Sequence, residues 1–289
     1  MTEAAAVKRK IIFTDIDGTI YEHEIIDQSA AVAIAAARAA GNLVFLCTGR
    51  AAGLVPREIR DIGFDGAITN GGADIWIDDA LVFSYAFPPE QVTELIKYFS
   101  SRDIPFALQS EIYTYATDSL VELFEKMFTE RRQSQDEVLT RLSLPADAVA
   151  HTEWETFRPI SAADLDKVGK VVFESPLSET ISEVRELFGA NYYIVGGSLP
   201  TDSGSSGEIS PPHITKGTAI EWVLAKLGLP RENSIGIGDS WNDQDMFRAC
   251  GIAVAMGNAP EELQRLADLV TTPVLADGVK NALTRLNLI

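Results

Sequence analysis

Residues 10–20 read KIIFTDIDGTI, and this stretch decides the fold of the chain. Its apolar first half predicts a buried strand, which ends on Asp15 and Asp17 with one residue between them. Two unit charges about 4 Å apart repel by roughly 4 kcal/mol at an effective dielectric constant of about 20. Carboxylates that cluster at the end of a buried strand therefore require a cation.

The composition sets limits on the partners of the protein. The 42 Asp and Glu residues exceed the 24 Lys and Arg residues, which gives a net charge of −18. Binding to a nucleic-acid backbone needs a basic surface, so we expect no nucleic-acid partner. A small phosphorylated ligand is compatible with this charge, because one metal ion or one lysine can hold a phosphate locally.

Nothing in the sequence indicates a membrane or an oxidising compartment. The segment MTEAAAVKRK has no apolar signal core, and no apolar run approaches the roughly 18 residues that cross a bilayer. Cys47 and Cys250 lie in apolar runs, which predicts buried, reduced thiols. We therefore expect a cytoplasmic protein without a membrane partner, and the sequence leaves open whether it is a monomer or a homo-oligomer.

Strand and helix signals alternate at both ends of the chain. Before residue 73 the patterns predict strands at 10–17, 43–50 and 66–72 and helices at 27–41 and 55–63. After residue 212 helix and strand again alternate, at 215–228, 234–240, 242–251, 252–257, 259–267, 269–272 and 278–286. Such alternation is typical of parallel strands joined by right-handed crossovers.

The middle of the chain has a different order of predicted strands and helices. A hairpin is predicted at 73–87, helices at 88–103, 118–142 and 178–189, and strands at 106–119, 167–176 and 192–197. The stretch TDSGSSGEISPP, residues 201–212, is rich in Ser, Gly and Pro and is interpreted as a linker. The predicted fold is α/β: a Rossmann-like parallel-sheet core from residues 1–84 and 205–289, with an inserted α+β domain at 85–204.

Polar groups follow the predicted core strands where each strand ends. Asp15 and Asp17 follow the first strand, Thr48, Gly49 and Arg50 the second, and Asp239, Asn242 and Asp243 a later one, while Lys216 opens a helix. Ligands of open parallel sheets bind at the carboxyl ends of the strands. We therefore expect these side chains to form one site.

The residue types at this site point to magnesium and phosphate. Oxygen ligands without His or Cys favour Mg²⁺ over zinc, and Asp15, Asp239 and Asp243 could supply them. A carboxylate beside magnesium can attack phosphorus, and a second carboxylate two residues later can protonate the leaving oxygen and then activate water. Lys216 and Thr48 would bind phosphate oxygens, and glycines such as Gly49 allow a close backbone approach.

These residues also carry a resemblance. The segments DIDGT at 15–19, TGR at 48–50, TKG at 215–217 and GDSWND at 238–243 resemble, in this order, the four motifs of the haloacid dehalogenase superfamily. The tail VAMGNAPEELQRLADLVT, at 254–271, and DGV, at 277–279, are similar to the Cof-type sugar-phosphatase subfamily. The inserted unit lies where that subfamily has its cap domain.

The resemblance implies a role for each matching position. Asp15 corresponds to the nucleophile and a metal ligand, and Asp17 to the general acid/base, with its backbone carbonyl as a further metal ligand. Thr48 and Lys216 correspond to phosphate-binding positions, and Asp239 to the main downstream metal ligand. Two further positions are less fixed: Asn242 corresponds to a phosphate-binding or neighbouring position, and Asp243 to a carboxylate that holds the metal directly or through water.

Several residues keep two interpretations at this point. Arg50 could bind substrate or form a structural ion pair, Asn70 could line the site or complete a turn, and Trp241 could narrow the entrance or pack on the cap. Asp239 could also cap a helix, and Asp243 could be a carboxylate that the helix dipole favours in the first turn of a helix. Of the scattered histidines His23, His151 and His213, His23 is the one near the first motif. Aromatic residues of the insert, such as Tyr113, Tyr115 and Trp154, are interpreted mainly as its core, and Arg158 lies among them.

The expected function is a magnesium-dependent phosphatase for small phosphomonoesters, such as sugar phosphates or phosphorylated cofactors, acting through an aspartyl-phosphate. A phosphomannomutase-like phosphomutase would share the first step and require a bisphosphate activator. A non-catalytic sensor of a phosphorylated ligand would need no nucleophile paired with a general acid. A nucleotide-dependent oxidoreductase is excluded, because no G-x-G-x-x-G follows the first strand.

Overall fold

The computed structural model describes residues 9–126, 129, 139, 157–197 and 204–289. Its strands are β1 Ile11–Thr14, β2 Tyr21–Glu22, β3 Ile25–Ile26, β4 Leu43–Cys47, β5 Gly66–Thr69, β6 Asp74–Ile77, β7 Ala80–Ser84, β8 Phe106–Gln109, β9 Thr114–Ala116, β10 Phe157–Pro159, β11 Lys170–Ser175, β12 Tyr193–Gly196, β13 Ser205–Ser210, β14 Ser234–Gly238, β15 Ile252–Ala255 and β16 Leu269–Val270. Its helices are α1 Gln28–Ala39, α2 Arg57–Arg60, α3 Pro89–Ser100, α4 at 118–126, α5 Thr180–Phe188, α6 Lys216–Leu227, α7 Gln244–Ala249, α8 Glu261–Gln264 and α9 Gly278–Arg285.

The larger sheet is built from both ends of the chain. Its strand order is β16-β15-β14-β1-β4-β5-β6-β7, and the pairs from β16 to β5 are parallel. The last two pairs are antiparallel, as expected for the predicted hairpin, whose turn residues Asp78 and Asp79 both have positive φ. The predicted α/β class with a parallel core is thus confirmed.

Apolar side chains cover both faces of this sheet, so β1 is buried between two helical layers. On one face Ile12 and Val44 pack against α1 and α9, and on the other Phe13 and Phe45 pack against α6 and α7. Strands buried on both faces read as continuous apolar runs, which is why β1 was evident in the sequence. Both cysteines are buried free thiols, as predicted.

Local signals fix where helices α1 and α6 begin. The side chain of Asp27 accepts a hydrogen bond from Ser29 N at the start of α1. At the start of α6, Thr215 and Thr218 form a reciprocal capping box, which places Lys216 at the first helical position. Helix α6 ends at Gly228, whose left-handed conformation suits a residue without Cβ. The amino end of α6 therefore has a defined position beside the strand ends.

The smaller sheet has the order β10-β9-β8-β11-β13-β12 among the described residues. Phe106 of β8, Phe173 of β11 and Ile209 of β13 pack on one face of this sheet with residues of α3 and α5. Residues at alternate positions, such as Gln109 and Lys170, lie on the opposite face, which lines a cavity above the strand ends of the larger sheet.

The linker predicted at 201–212 is wrong where the structure describes it. Residues 205–210 form β13, which lies between β11 and β12 as an interior strand. Its Ser and Gly content reflects packing, because a Cβ on Gly207 would lie 2.3 Å from Cε1 of Phe173. Sheet membership therefore divides the chain after Ser210 and not at residue 204, and we propose 85–210 as the inserted domain.

Three other predictions change in detail. Segment 106–119 is two strands, β8 and β9, separated by a turn, and several helices are shorter than their patterns, α2 and α8 most of all. The predicted helix 118–142 is described as far as residue 126, and Met127 and Phe128 lie outside the described residues. The β2–β3 hairpin was not predicted; its turn residues His23 and Glu24 have φ values of 51° and 61°.

We predict that Gly207→Ala destabilises the protein, because the added methyl group would overlap the Phe173 ring. Overpacking of this kind costs about 1–3 kcal/mol. The matched control is Gly196→Ala on the neighbouring strand, where an added Cβ has no atom within 4 Å. Urea unfolding of both variants measures the difference, and equal stabilities would contradict the packing described for β13.

Candidate active site

Three strand ends and one helix end meet at the site. Strand β1 lies between β14 and β4, so the residues that follow these strands are neighbours. Asp15 follows β1, Thr48 follows β4 and Asp239 follows β14, while Lys216 begins α6. The structure therefore brings together the groups that the sequence placed at one sheet edge.

Lys216 is the buried cation of this cluster. Its Nζ lies 3.1 Å from Oδ1 of Asp15 and 2.6 Å from Oδ1 of Asp243, and its side chain is 2% exposed. Asn242 Oδ1 accepts a further hydrogen bond from Nζ at 3.1 Å. Burial lowers the pKa of Lys216, but the two carboxylates more than reverse this effect, so the lysine stays charged.

Asp15, Asp239 and Asp243 form a cluster that fits a hard divalent cation. Each offers a carboxylate oxygen, and these oxygens lie within 4.8 Å of one another. Burial, together with repulsion from the neighbouring carboxylates, raises the pKa of Asp15 and of Asp239. An all-oxygen donor set that Lys216 neutralises only in part matches the ligand preference of Mg²⁺.

Asp243 makes two sets of contacts that were not predicted from the sequence. Its Oδ2 accepts hydrogen bonds from the backbone amides of Asp239 and Ser240 at 2.9 and 3.0 Å, as a turn-capping carboxylate does. Its Oδ1 pairs with Lys216. Both oxygens therefore already have partners, so Asp243 fixes the loop that carries Asp239.

The carboxylate of Asp17 is paired with Arg50. The guanidinium donates from Nε to Oδ2 of Asp17 at 2.8 Å and from Nη2 to Oδ1 at 2.6 Å. Arg50 also donates to the Leu54 carbonyl at 3.0 Å and lies over the ring of Tyr21. Of the two roles considered for Arg50, the structure shows the ion pair. Its two hydrogen bonds fix the plane of the Asp17 carboxylate.

Of the phosphate-binding positions predicted from the sequence, Thr48, Gly49 and Asn242 line the same cavity, whereas Lys216 does not line it. Thr48 is buried, and its Oγ1 accepts a hydrogen bond from Arg50 N at 3.1 Å. The carbonyl of Gly49 accepts a hydrogen bond from Lys170 of the smaller sheet. A Cβ on Gly18 would lie 2.1 Å from Oδ2 of Asp239, so this turn requires glycine. The cavity has a volume of about 600 Å³.

Sequence reasoning missed the wall that the smaller sheet contributes. Lys170 is buried and forms an ion pair with Glu208 at 2.9 Å, and both residues line the cavity together with Glu174. The alternation in KVVFES could have placed Lys170 and Glu174 on one face of a strand. Asn258, which was also missed, donates to the Gly18 carbonyl at 2.9 Å and so supports the first loop.

The residues with two interpretations fall mostly outside the cavity. Asn70 has a positive φ of 51° and donates to Asp74 and to the Ser110 carbonyl, so it completes a turn. The side chain of Trp241 is 47% exposed and does not line the cavity, whereas His23 does line it. Tyr115 belongs to the core of the smaller sheet.

Three further residues singled out in the sequence, Tyr113, Arg158 and His213, do not line the cavity. Tyr113 is exposed and stacks with Arg158, whose guanidinium carbon lies 4.7 Å from the ring centroid. His213 is exposed. His151 and Trp154 lie outside the described residues.

Comparison with known proteins agrees with this architecture. The family model of haloacid dehalogenase-like hydrolases matches residues 12–283. YkrA of Bacillus subtilis (strain 168), which carries the provisional name of a phosphatase, is 26% identical over 97% of this chain and 98% of its own length. No described helix has the length and apolar character that a membrane crossing requires.

Solved structures share the fold over almost the whole chain. The sugar phosphatase BT4131 of haloacid dehalogenase subclass IIB superposes with a TM-score of 0.76 at 24% identity, covering 97% of this chain and 100% of BT4131. A haloacid dehalogenase-like hydrolase from B. subtilis superposes with a TM-score of 0.79 at 20% identity, covering 96% of this chain and 99% of its own. These neighbours have the same core-and-cap architecture.

We predict that Lys216→Met strongly destabilises the protein, because it leaves Asp15 and Asp243 buried without their cation. Removing one partner of a buried ion pair costs about 3–5 kcal/mol. Lys226→Met, on an exposed position of the same helix, is the control and should change the free energy of unfolding by less than about 0.5 kcal/mol. Similar stabilities of the two variants in urea would show that Lys216 does not hold the cluster together.

Proposed function

Because the chain belongs to the haloacid dehalogenase-like hydrolase family, we propose that it is a magnesium-dependent phosphatase that hydrolyses small phosphomonoesters through a phosphorylated Asp15. The observation that carries the proposal is the buried Asp15, with Lys216 3.1 Å from its carboxylate, opening onto a cavity of about 600 Å³. A cavity of this size suits a sugar phosphate or a phosphorylated cofactor. The names of YkrA and BT4131 support the reaction class.

In the first step a carboxylate oxygen of Asp15 attacks phosphorus. The bond from phosphorus to the ester oxygen breaks, and Asp17 gives its proton to the leaving oxygen. In the second step Asp17 takes a proton from water, and the water oxygen attacks phosphorus. The bond to Asp15 then breaks, which releases phosphate and restores the carboxylate.

The surrounding groups stabilise the charge that develops on the phosphoryl oxygens. The Thr48 hydroxyl and backbone amides after β4 would donate to these oxygens, and Lys216 would lie beside the nucleophile. A divalent cation held by Asp15, Asp239 and Asp243 would supply a second, stronger neutralising charge. The other ligand that the resemblance implies, the backbone carbonyl of Asp17, belongs to this proposal as well.

Arg50 is proposed as the residue that positions Asp17. Its two hydrogen bonds fix the plane of the Asp17 carboxylate, which accepts the proton from water in the second step. The first step requires protonated Asp17, which gives its proton to the leaving oxygen. The hydrogen bonds from Arg50 to Asp17 compete with this proton transfer. The strength of the Asp17–Arg50 contact therefore bears on both steps.

The test of this proposal is phosphate release from p-nitrophenyl phosphate and a panel of phosphorylated metabolites. With Mg²⁺ present we expect turnover, and with a chelator we expect none. Asp15→Asn should lower kcat at least about 10³-fold, because it removes the nucleophile. The control Asp61→Asn changes an exposed carboxylate on the surface of the core and should leave kcat unchanged.

Other outcomes would favour the alternatives. Transfer of phosphate between sugar hydroxyls that requires a bisphosphate activator, without net release, would identify a phosphomutase. Tight binding of a phosphorylated compound without any turnover by the folded protein would identify a sensor. Turnover that is insensitive to both the chelator and Asp15→Asn would overturn the proposal.

We predict that Arg50→Lys lowers kcat by about 10–100-fold with little change in KM, because a lysine offers one point charge in place of a two-bond fork. Steady-state kinetics beside the exposed control Arg57→Lys measures the effect. A higher KM with unchanged kcat would instead mean that Arg50 binds the substrate.

A further inference from the structure

The wall of the cavity that faces the strand ends is formed by one side of the smaller sheet. Thr114, Gln109 and Lys170 lie side by side there, because Gln109 pairs in register with both of the others. Glu208 is opposite Val172, and Glu174 lies two residues further along β11. We call Gln109, Thr114, Glu174 and Glu208 the cap-face cluster; all four line the cavity.

Three members of the cap-face cluster have buried side chains without partners. Gln109 and Thr114 are 5% and 1% exposed, and Gln109 Oε1 and Thr114 Oγ1 make no hydrogen bond with any described residue. Glu174 is 6% exposed, and its carboxyl group has no hydrogen bond or ion pair with the described part of the chain. Buried polar groups are normally paired, so unpaired groups on residues that line a cavity indicate a ligand.

Acidic side chains outnumber basic ones on this wall. Lys170 is engaged by Glu208 at 2.9 Å and by the Gly49 carbonyl, so it does not balance a further carboxylate. Burial, and next to it repulsion from Glu208, raises the pKa of Glu174 to about 8. Glu22 and Glu24 of the β2–β3 hairpin also line the cavity. A second anionic group on a substrate would find no free cation among the described residues of this wall.

We propose that the leaving group of the substrate carries a protonated amine that pairs with Glu174, donors that reach Gln109 and Thr114, and no second anionic group. This inference rests on the proposed phosphatase function and names its substrate class: monophosphate esters of amino alcohols or amino sugars. A cationic nitrogen would favour the ionised form of Glu174 and pair with it, whereas a carboxylate or a second phosphate would oppose that ionisation.

The test compares substrates that differ in one group. One series is glucosamine 6-phosphate, glucose 6-phosphate and 6-phosphogluconate, and a shorter series is O-phosphoethanolamine, ethylene glycol monophosphate and phosphoglycolate. At pH 7 with Mg²⁺ we expect kcat/KM to fall by about tenfold or more from the amine to the neutral ester, and again to the carboxylate, in at least one series. p-Nitrophenyl phosphate reports the phosphatase activity separately.

The results separate this inference from the function on which it depends. Two results would overturn the amine preference but leave the phosphatase function intact, provided that p-nitrophenyl phosphate is hydrolysed. One is turnover of the carboxylate esters that equals or exceeds that of the amine esters, and the other is no turnover of either series. No magnesium-dependent hydrolysis of any compound would overturn the phosphatase itself, and the inference with it.

Glu174→Gln tests the residue directly. We expect it to lower the ratio of kcat/KM for the amine ester to kcat/KM for the neutral ester from about tenfold to near one. Glu179→Gln, an exposed position just before α5, is the control. If the ratio of kcat/KM for the amine ester to that for the neutral ester is unchanged in Glu174→Gln, Glu174 does not bind the amine.

A thermal measurement confirms that Glu174→Gln is folded and acts as described. Because the pKa of Glu174 is raised from its ordinary 4.5 to about 8 in the folded state, the wild type loses stability as the pH rises between these values and loses no more above them. The Tm advantage of Glu174→Gln over the wild type should therefore increase from about pH 5 to about pH 8 and stay level above that. A constant difference would mean that Glu174 is paired and the cap-face cluster is not open.

Discussion

The buried ammonium group of Lys216 lies between the carboxylates of Asp15 and Asp243, and the rest of the structure depends on this arrangement. Asp15 follows the central strand, Asp243 holds the loop after a neighbouring strand, and Lys216 begins a capped helix. One charge therefore joins three segments that are far apart in the sequence. It also keeps a carboxylate buried at a strand end, where it is available for chemistry.

Much of the core and its site could be predicted because the signals are local. Continuous apolar runs such as IIFT and SIGIG indicate strands buried on both faces, and a polar residue directly after such a run lies at the sheet edge where ligands bind. Asp15 and Asp239 satisfy this rule, and the structure brings them together with Asp243. The start of α6 could also be predicted, because the capping residues Thr215 and Thr218 lie beside it in the sequence.

The remainder depends on contacts between distant segments, which composition does not reveal. Residues 205–210 look like a linker, but their small side chains make room for Phe173 within a sheet. Arg50 pairs with Asp17 across 33 positions, so the sequence left its role open. Alternation places Lys170 and Glu174 on one face of a strand, but only the relative position of the two sheets turns that face toward Asp15.

The most direct test of the account is to look for phosphate on Asp15. Enzyme mixed with a turned-over phosphomonoester and Mg²⁺ is quenched in acid within the first turnover, digested, and analysed by mass spectrometry. We expect one phosphoryl group, labile to hydroxylamine, on the peptide that contains Asp15, and none in Asp15→Asn. Phosphate release without phosphorylation of Asp15 at any quench time would contradict it.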